Sequence, residues 1–161
     1  MKGKNILFTL TGAVILSTFV LTSTVFAHGN VIPQGADSSE LPEITGGDES
    51  EDGWVLENPY RNLEPAVKEK IITFGESAYA NNCAGCHGLH AISGGINPDL
   101  RVLKPDNFED DEWYVQRVRF GSDKGMPAIG KVLDQKTLWA VKTYVEKRRV
   151  HAIAKGDIEA Y

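Results

Sequence analysis

The sequence predicts an all-α domain in which a few helices and long loops surround a large non-protein group. Three segments show helical periodicity, and no alternating apolar pattern is long enough for a sheet. The loops between these segments are long and rich in Gly and Pro. With 161 residues, 42% of them hydrophobic and 24% charged, the chain has room for one globular domain with extensions.

The first helix is predicted to begin near Glu64 and to end at the segment CAGCH, residues 83–87. A proline, Pro65, stands where a first helical turn tolerates it, because its missing N–H has no partner there anyway. Gly75 and Tyr79 lie eight and four residues before Cys83, so the three share one face of the helix.

A second helix is predicted over residues 108–120. Asp106 or Asn107 is placed to cap it, acidic residues fill its first turn, and Arg117 and Arg119 stand in its last turn. This charge order matches the helix dipole, so the acidic run is interpreted as a helix start and not as a pair of acid/base groups.

The third helix is predicted over residues 134–149, with Asp134 as its N-cap. Its apolar side chains are spaced for one face, namely Leu138, Val141 and Val145. Basic residues end the segment, as the helix dipole favours.

The loops 88–107 and 121–130 separate these helices and are rich in Gly and Pro. Short helices joined by such loops offer one another little apolar surface. A loop as long as the first is also unusual in a compact domain unless something else organises it. A large apolar cofactor at the centre would supply the missing core.

Residues 1–27 are predicted to be a signal peptide. Lys2 and Lys4 form a positive start, residues 6–27 are uncharged, and small residues suit cleavage before His28. The alternative is an uncleaved anchor, because an uncharged stretch of this length could span a bilayer. The prediction is therefore an exported protein located in the periplasm.

After the signal peptide, residues 28–53 carry seven acidic residues and no Lys or Arg. With few large apolar groups, this segment is predicted to be a flexible acidic extension. Residues 54–61 suggest a strap against the domain, which spans 54–150 and is followed by a tail, 151–161. The excess of acidic residues speaks against nucleic acid or an anionic membrane surface as a partner.

The segment CAGCH contains both cysteines of the chain, Cys83 and Cys86, followed by His87. C-x-x-C-H is the attachment signature of a covalent haem c. A disulfide between thiols three residues apart would close too small a loop to stabilise much, and a redox dithiol needs a βαβ context. Zinc would need a second pair of ligands, which is missing. The motif predicts haem c, with one iron held by His87.

The iron needs a ligand on its other face, and Met126 is the candidate. It stands in a Gly- and Pro-rich loop, 39 residues after His87, and is the chain's one methionine besides the initiator. His90 is too close to His87 to cross the ring, and His28 is the expected mature N-terminus. His151 in the tail, or an open site, is the alternative.

These motifs resemble the class I c-type cytochromes over about residues 57–146, nearly the whole domain. The resemblance lies in the segments GESAYANNCAGCHG, INPDL, RVRFGSDKGMP and LWAVKTYV. It implies a monohaem fold with haem bound through Cys83 and Cys86, and with His87 and Met126 as axial ligands. It also implies that the Pro98 carbonyl accepts a hydrogen bond from the His87 ring.

The same resemblance implies that Gly75 lets the first and last helices cross closely, near Leu138 and Tyr144. Within the class, ENPYR, CHGLHAISGGINPDLR and DEWYVQRVRFG are similar to soluble cytochromes that accept electrons from periplasmic PQQ-dependent alcohol dehydrogenases, particularly of the quinoprotein ethanol dehydrogenase type. Ala128 departs from that group, in which a second proline is expected after the methionine.

The resemblance therefore implies a monomeric electron carrier, not an enzyme, that takes electrons from a quinoprotein alcohol dehydrogenase and passes them towards a terminal oxidase. Two alternatives stay open. The donor could be a methanol dehydrogenase or a cytochrome bc1 complex, or the chain could be a haem sensor or enzyme with a displaceable sixth ligand.

Overall fold

The computed structural model describes residues 32–45, 50–95, 97–103 and 111–160. These residues form four α-helices and no β-strand: α1 (Pro65–Asn82), α2 (Ala84–His87), α3 (Asp111–Phe120) and α4 (Gln135–Lys155). Two short 3-10 turns, Leu89–Ala91 and Ile129–Lys131, follow α2 and precede α4. The all-α prediction is confirmed for this part of the chain.

The two long helices, α1 and α4, cross in contact, and Gly75 makes the crossing possible. A Cβ atom at Gly75 would lie 2.1 Å from the backbone oxygen of Ala140, far inside the contact limit. Next to it, the rings of Tyr79 and Tyr144 pack with centroids 5.4 Å apart. The close crossing implied for Gly75 is confirmed, with its contact point at Ala140.

Helix α4 is the central element, because each of the three buried apolar clusters includes residues from it. Its middle is buried on several sides, and Trp139 and Ala140 are almost fully covered. Asp134 caps the helix, accepting a hydrogen bond of 2.8 Å from the Thr137 N–H. The predicted N-cap of this helix is confirmed.

The C-terminal end of α4 differs from the prediction. The helix was expected to end at Arg149, followed by a tail, but it continues to Lys155 and ends at Gly156 in a left-handed conformation. Ala152 on this extension is buried against the domain. That buried contact keeps the helix going past its basic residues, so His151 is exposed on a helix and not in a tail.

The acidic segment 28–53 also differs from the flexible extension that was expected. In its described part, Leu41 is buried in the cluster around Trp139. Gln34 donates its backbone N–H to the Asn82 side chain at 2.6 Å, and the Ser38 hydroxyl donates to Asp134. One buried leucine and specific polar contacts are enough to hold these residues against α1 and α4.

The predicted strap, residues 54–61, is confirmed by the deep burial of Val55 and Tyr60. The proposed signal peptide, residues 1–27, and both candidate caps of the second helix, Asp106 and Asn107, lie outside the described residues. Among the helices that are described, none combines the length and the apolarity required to cross a membrane.

Candidate haem site

A cavity of about 750 Å³ lies between the end of α1, helices α3 and α4, and the loops that join them. Its volume is within the range of sites for cofactors and other sizeable ligands. The four predicted site residues all line it. The apolar part of the lining includes Pro98, Leu100, Leu103, Trp113, Tyr114, Val118, Ile129, Leu138, Val141 and Val145.

The two thiols reach the cavity from the junction of α1 and α2. Cys83 closes α1 by donating its N–H to Tyr79 at 2.8 Å, and its carbonyl accepts from the N–H groups of Cys86 and His87 at 3.1 and 2.9 Å. Both thiols are free. Burial raises the pKa of the Cys83 thiol to about 12, with a smaller contribution from Cys86.

The His87 ring is fixed by the loop that follows it. Its Nδ1 lies 3.1 Å from the carbonyl oxygen of Pro98, as the family resemblance implied. Because a carbonyl can only accept, Nδ1 must carry the hydrogen. The neutral ring then has its lone pair on Nε2, which is the arrangement an imidazole needs to bind a metal.

The loop that carries Met126 is closed by backbone contacts. Ser122 donates its N–H to the Met126 carbonyl at 2.9 Å, and the Ser122 hydroxyl accepts from the Met126 N–H at 3.3 Å. A Cβ atom at Gly121, where φ is +74°, would lie 2.3 Å from the Met126 oxygen. The Arg117 guanidinium binds the Gly121 carbonyl at 3.1 Å and so ties the loop to α3.

The other candidate histidines lie elsewhere. The Nδ1 atom of His90 is 3.4 Å from the Tyr144 hydroxyl and 3.8 Å from Glu76. It borders a separate cavity of about 50 Å³, and His151 is exposed on the last turns of α4. His28 lies outside the described residues. Neither His90 nor His151 lines the large cavity.

Several polar residues in the cavity wall were not predicted from the sequence. Tyr114 donates its hydroxyl to the Leu138 carbonyl at 2.5 Å, and burial raises its pKa well above the ordinary value, so the phenol stays neutral. Arg117 lies over the Trp113 ring, 5.0 Å from its centroid. Lys142 is buried in the wall. Its spacing could have revealed it, because it stands one turn after Leu138 on the apolar face of α4.

The residues present fit a haem c by their chemistry. Two thiols three residues apart, an imidazole with Nε2 free to coordinate and a thioether line one largely apolar cavity. This combination has the donor types of a haem iron with one nitrogen and one sulfur ligand.

Comparison with known proteins identifies the family. The chain is 40% identical to cytochrome c550 of Pseudomonas aeruginosa over 155 residues, which cover 93% of this chain and 99% of the relative. The chain belongs to the cytochrome c family. The family model described as cytochrome c oxidase, cbb3-type, subunit III, matches residues 71–145 of this cytochrome. The class I fold and the covalent haem c predicted from the sequence are confirmed, and the chain is an electron carrier.

Two further relatives are enzymes of Pseudomonas putida. The cytochrome is 32% identical over 88 residues to quinohemoprotein alcohol dehydrogenase ADH-IIG, and 36% identical over 76 residues to quinohemoprotein alcohol dehydrogenase ADH IIB. These matches cover 53% and 46% of this chain but only 12% and 11% of the enzymes. No solved structure gives a significant match.

Proposed function

We propose that this cytochrome is a periplasmic carrier of single electrons, and not an enzyme, that accepts electrons from a quinoprotein alcohol dehydrogenase and passes them towards a terminal oxidase. The support for the donor is the similarity to segments of two quinohemoprotein alcohol dehydrogenases. In those enzymes a cytochrome-like segment and the alcohol-oxidising part belong to one chain. Here the similar segment would serve the same type of donor as a separate protein.

The proposed site consists of Cys83 and Cys86 as thioether anchors and of His87 and Met126 as iron ligands. The observation that carries the proposal is that all four line one cavity, although Met126 is far from the others in sequence. Haem c supplies a one-electron iron couple. His87 would coordinate through Nε2, held in orientation by Pro98, while Met126 would fill the sixth position and leave none for a substrate.

The ligand assignment is tested by replacing Met126 with Leu, which keeps the volume but removes the sulfur. We expect the low-spin spectrum with its near-infrared Fe–Met band to give way to a high-spin form that binds carbon monoxide. Lys131→Ala, shortly after the same loop, should leave the spectrum unchanged, because Lys131 is exposed and does not line the cavity. A Met126→Leu protein that keeps the Fe–Met band would show that another group is the ligand.

The donor is tested by mixing the oxidised cytochrome with a purified PQQ-dependent ethanol dehydrogenase and ethanol. We expect reduction that is fast compared with that by a methanol dehydrogenase with methanol or by a cytochrome bc1 complex with quinol. If one of those two reduces it faster, the donor assignment is wrong, while the role as a carrier stands. Encounters of this kind need only a small interface and should be transient.

Export is tested on the protein recovered from the periplasmic fraction. We expect a mature chain that begins at His28, shown by N-terminal sequencing or intact mass including one haem. A chain that keeps residues 1–27 and remains with the membrane fraction would instead show a retained anchor.

A further inference from the structure

We propose that Lys142 sets the reduction potential of the haem by holding a buried positive charge in the cavity wall. This inference rests on the proposed placement of the haem in the large cavity. It assigns a role to a residue that neither binds the iron nor anchors the ring.

Lys142 belongs to a group of four charged residues, of which Lys142 and Asp111 are buried, Glu146 is partly buried and Arg61 is partly exposed. The side chain is only 4% exposed, and its Nζ lies 3.3 Å from Asp111 Oδ1 and 3.7 Å from Glu146 Oε1. The Arg61 guanidinium binds the same two oxygens, each at 2.8 Å. The group therefore pairs two basic side chains with two carboxylates.

The four charges are not placed symmetrically with respect to the cavity. Lys142 is the member of the group that lines it, whereas Asp111, Glu146 and Arg61 do not. The Lys142 ammonium also lies 5.5 Å from the centroid of the Tyr114 ring, which lines the same cavity. Of the four charged residues, the cationic Lys142 therefore contributes to the cavity wall, and the two carboxylates do not.

A cation in this position favours the reduced haem. The oxidised iron carries one more positive charge than the reduced iron, so a nearby fixed cation destabilises the oxidised state more. Because Lys142 is buried, salt screens its effect much less than it screens an exposed lysine. Stability alone does not explain the lysine, since a buried ion pair can often be replaced by apolar residues without loss.

The test is the reduction potential of three variants of the haem-loaded protein. Lys142→Met removes the cation and should shift the equilibrium towards the oxidised form at least tenfold, a fall of about 59 mV. Asp111→Asn keeps the size of the side chain but removes a negative charge, and should raise the potential. Lys147→Met is the matched control on the same helix, where the lysine is exposed and pairs with Glu69. Its equilibrium between the oxidised and reduced forms should shift less than twofold.

The direction of each shift decides the proposal. Potentials that fall or rise together in Lys142→Met and Asp111→Asn would overturn it, as would a Lys142→Met potential equal to that of Lys147→Met. The difference between Lys142→Met and the wild type should also persist at 0.5 M salt, about the range where exposed charges are largely screened. If Lys142→Met does not mature, Lys142→Gln and Asp111→Asn give the same ordering, and a potential that does not rise in Asp111→Asn is sufficient to reject the idea.

The near-infrared Fe–Met band separates this proposal from the ligand assignment. A Lys142 variant that keeps the band but has an unchanged potential overturns the role of Lys142 alone. A wild-type protein without the band overturns Met126 as the ligand, whatever the potentials of the variants are.

Discussion

The two sides of the cavity are built in different ways. Cys83, Cys86 and His87 stand at the end of an 18-residue helix that packs directly on α4. Met126 stands in a loop that is closed on itself and tied to α3 through Gly121. The cysteine–histidine side should therefore fail only when the helices separate, whereas the methionine side can open while the helices stay packed.

The largest effect is expected where the cysteine–histidine side rests on α4. In Gly75→Val, the new side chain cannot avoid the Ala140 carbonyl, which a Cβ atom would approach to 2.1 Å, so the helices must move apart. Forced separation of this kind costs about 3 kcal/mol or more of unfolding free energy. Chemical denaturation followed by circular dichroism measures it.

The matched control for Gly75→Val is Ser77→Val, an exposed position on the same helix. It adds the same β-branched residue without the clash, so it should cost no more than a few tenths of a kcal/mol. If both variants lost the same unfolding free energy, the close crossing of α1 and α4 at Gly75 would not contribute to stability.

An intermediate effect is expected on the methionine side. Gly121→Ala places a Cβ atom 2.3 Å from the Met126 carbonyl and strains a residue with φ of +74°. We expect the Fe–Met band to disappear at a lower temperature than the helical signal, with a local cost of about 2 kcal/mol. Following both signals during heating tests whether the loop opens separately.

Gly125→Ala separates space from backbone strain, because Gly125 also has a positive φ, +102°, but no atom lies within 4 Å of the added Cβ. It should lower the opening temperature of the loop less than Gly121→Ala does. Simultaneous loss of the Fe–Met band and of the helical signal in Gly121→Ala would contradict the contrast between the two sides.

The same contrast explains which features the sequence could predict. The cysteine–histidine motif is contiguous and sits on a helix with clear periodicity, so its chemistry and its place in the fold could be predicted together. From the residues themselves, Met126 could be predicted only by elimination among possible ligands, and the family resemblance implied the same residue. The Pro98 and Gly75 contacts came from the family resemblance and agree with the structure.

Contacts between distant polar residues left no local signal. The bond from Gln34 to Asn82 joins residues 48 apart, and the charges around Lys142 come from the strap, α3 and α4. A composition rich in acids and poor in apolar residues suggested flexibility for the N-terminal segment. The buried side chain of Leu41 reverses that conclusion for the described part of the segment. Only the folded structure shows the apolar cluster around Trp139 into which Leu41 packs.

The smallest effect is expected at Asp134, where the N-terminal segment and α4 meet just after the methionine loop. Burial by itself would raise the pKa of Asp134, but hydrogen bonds from Ser38 and Thr137 outweigh it, so the pKa lies below its usual value. A carboxyl group whose pKa is lower in the folded state stabilises the protein at pH values above its unfolded-state pKa. This contribution disappears as the pH falls through the folded-state pKa. Asp134→Ala should cost about 1 kcal/mol at pH 7 through the lost cap.

The difference between Asp134→Ala and the wild type should begin to shrink below about pH 4, where the carboxyl group of the unfolded chain takes up a proton, and should disappear once the pH is below the lowered folded-state pKa. Ser38→Ala should lose part of the effect, since the Thr137 bond remains. Lys136→Ala, which removes an exposed pair with Glu43, should change stability by a few tenths of a kcal/mol at most. A deficit in Asp134→Ala that is the same at pH 3 and pH 7 would show that the charge of Asp134 contributes nothing, and that the side chain acts through packing alone.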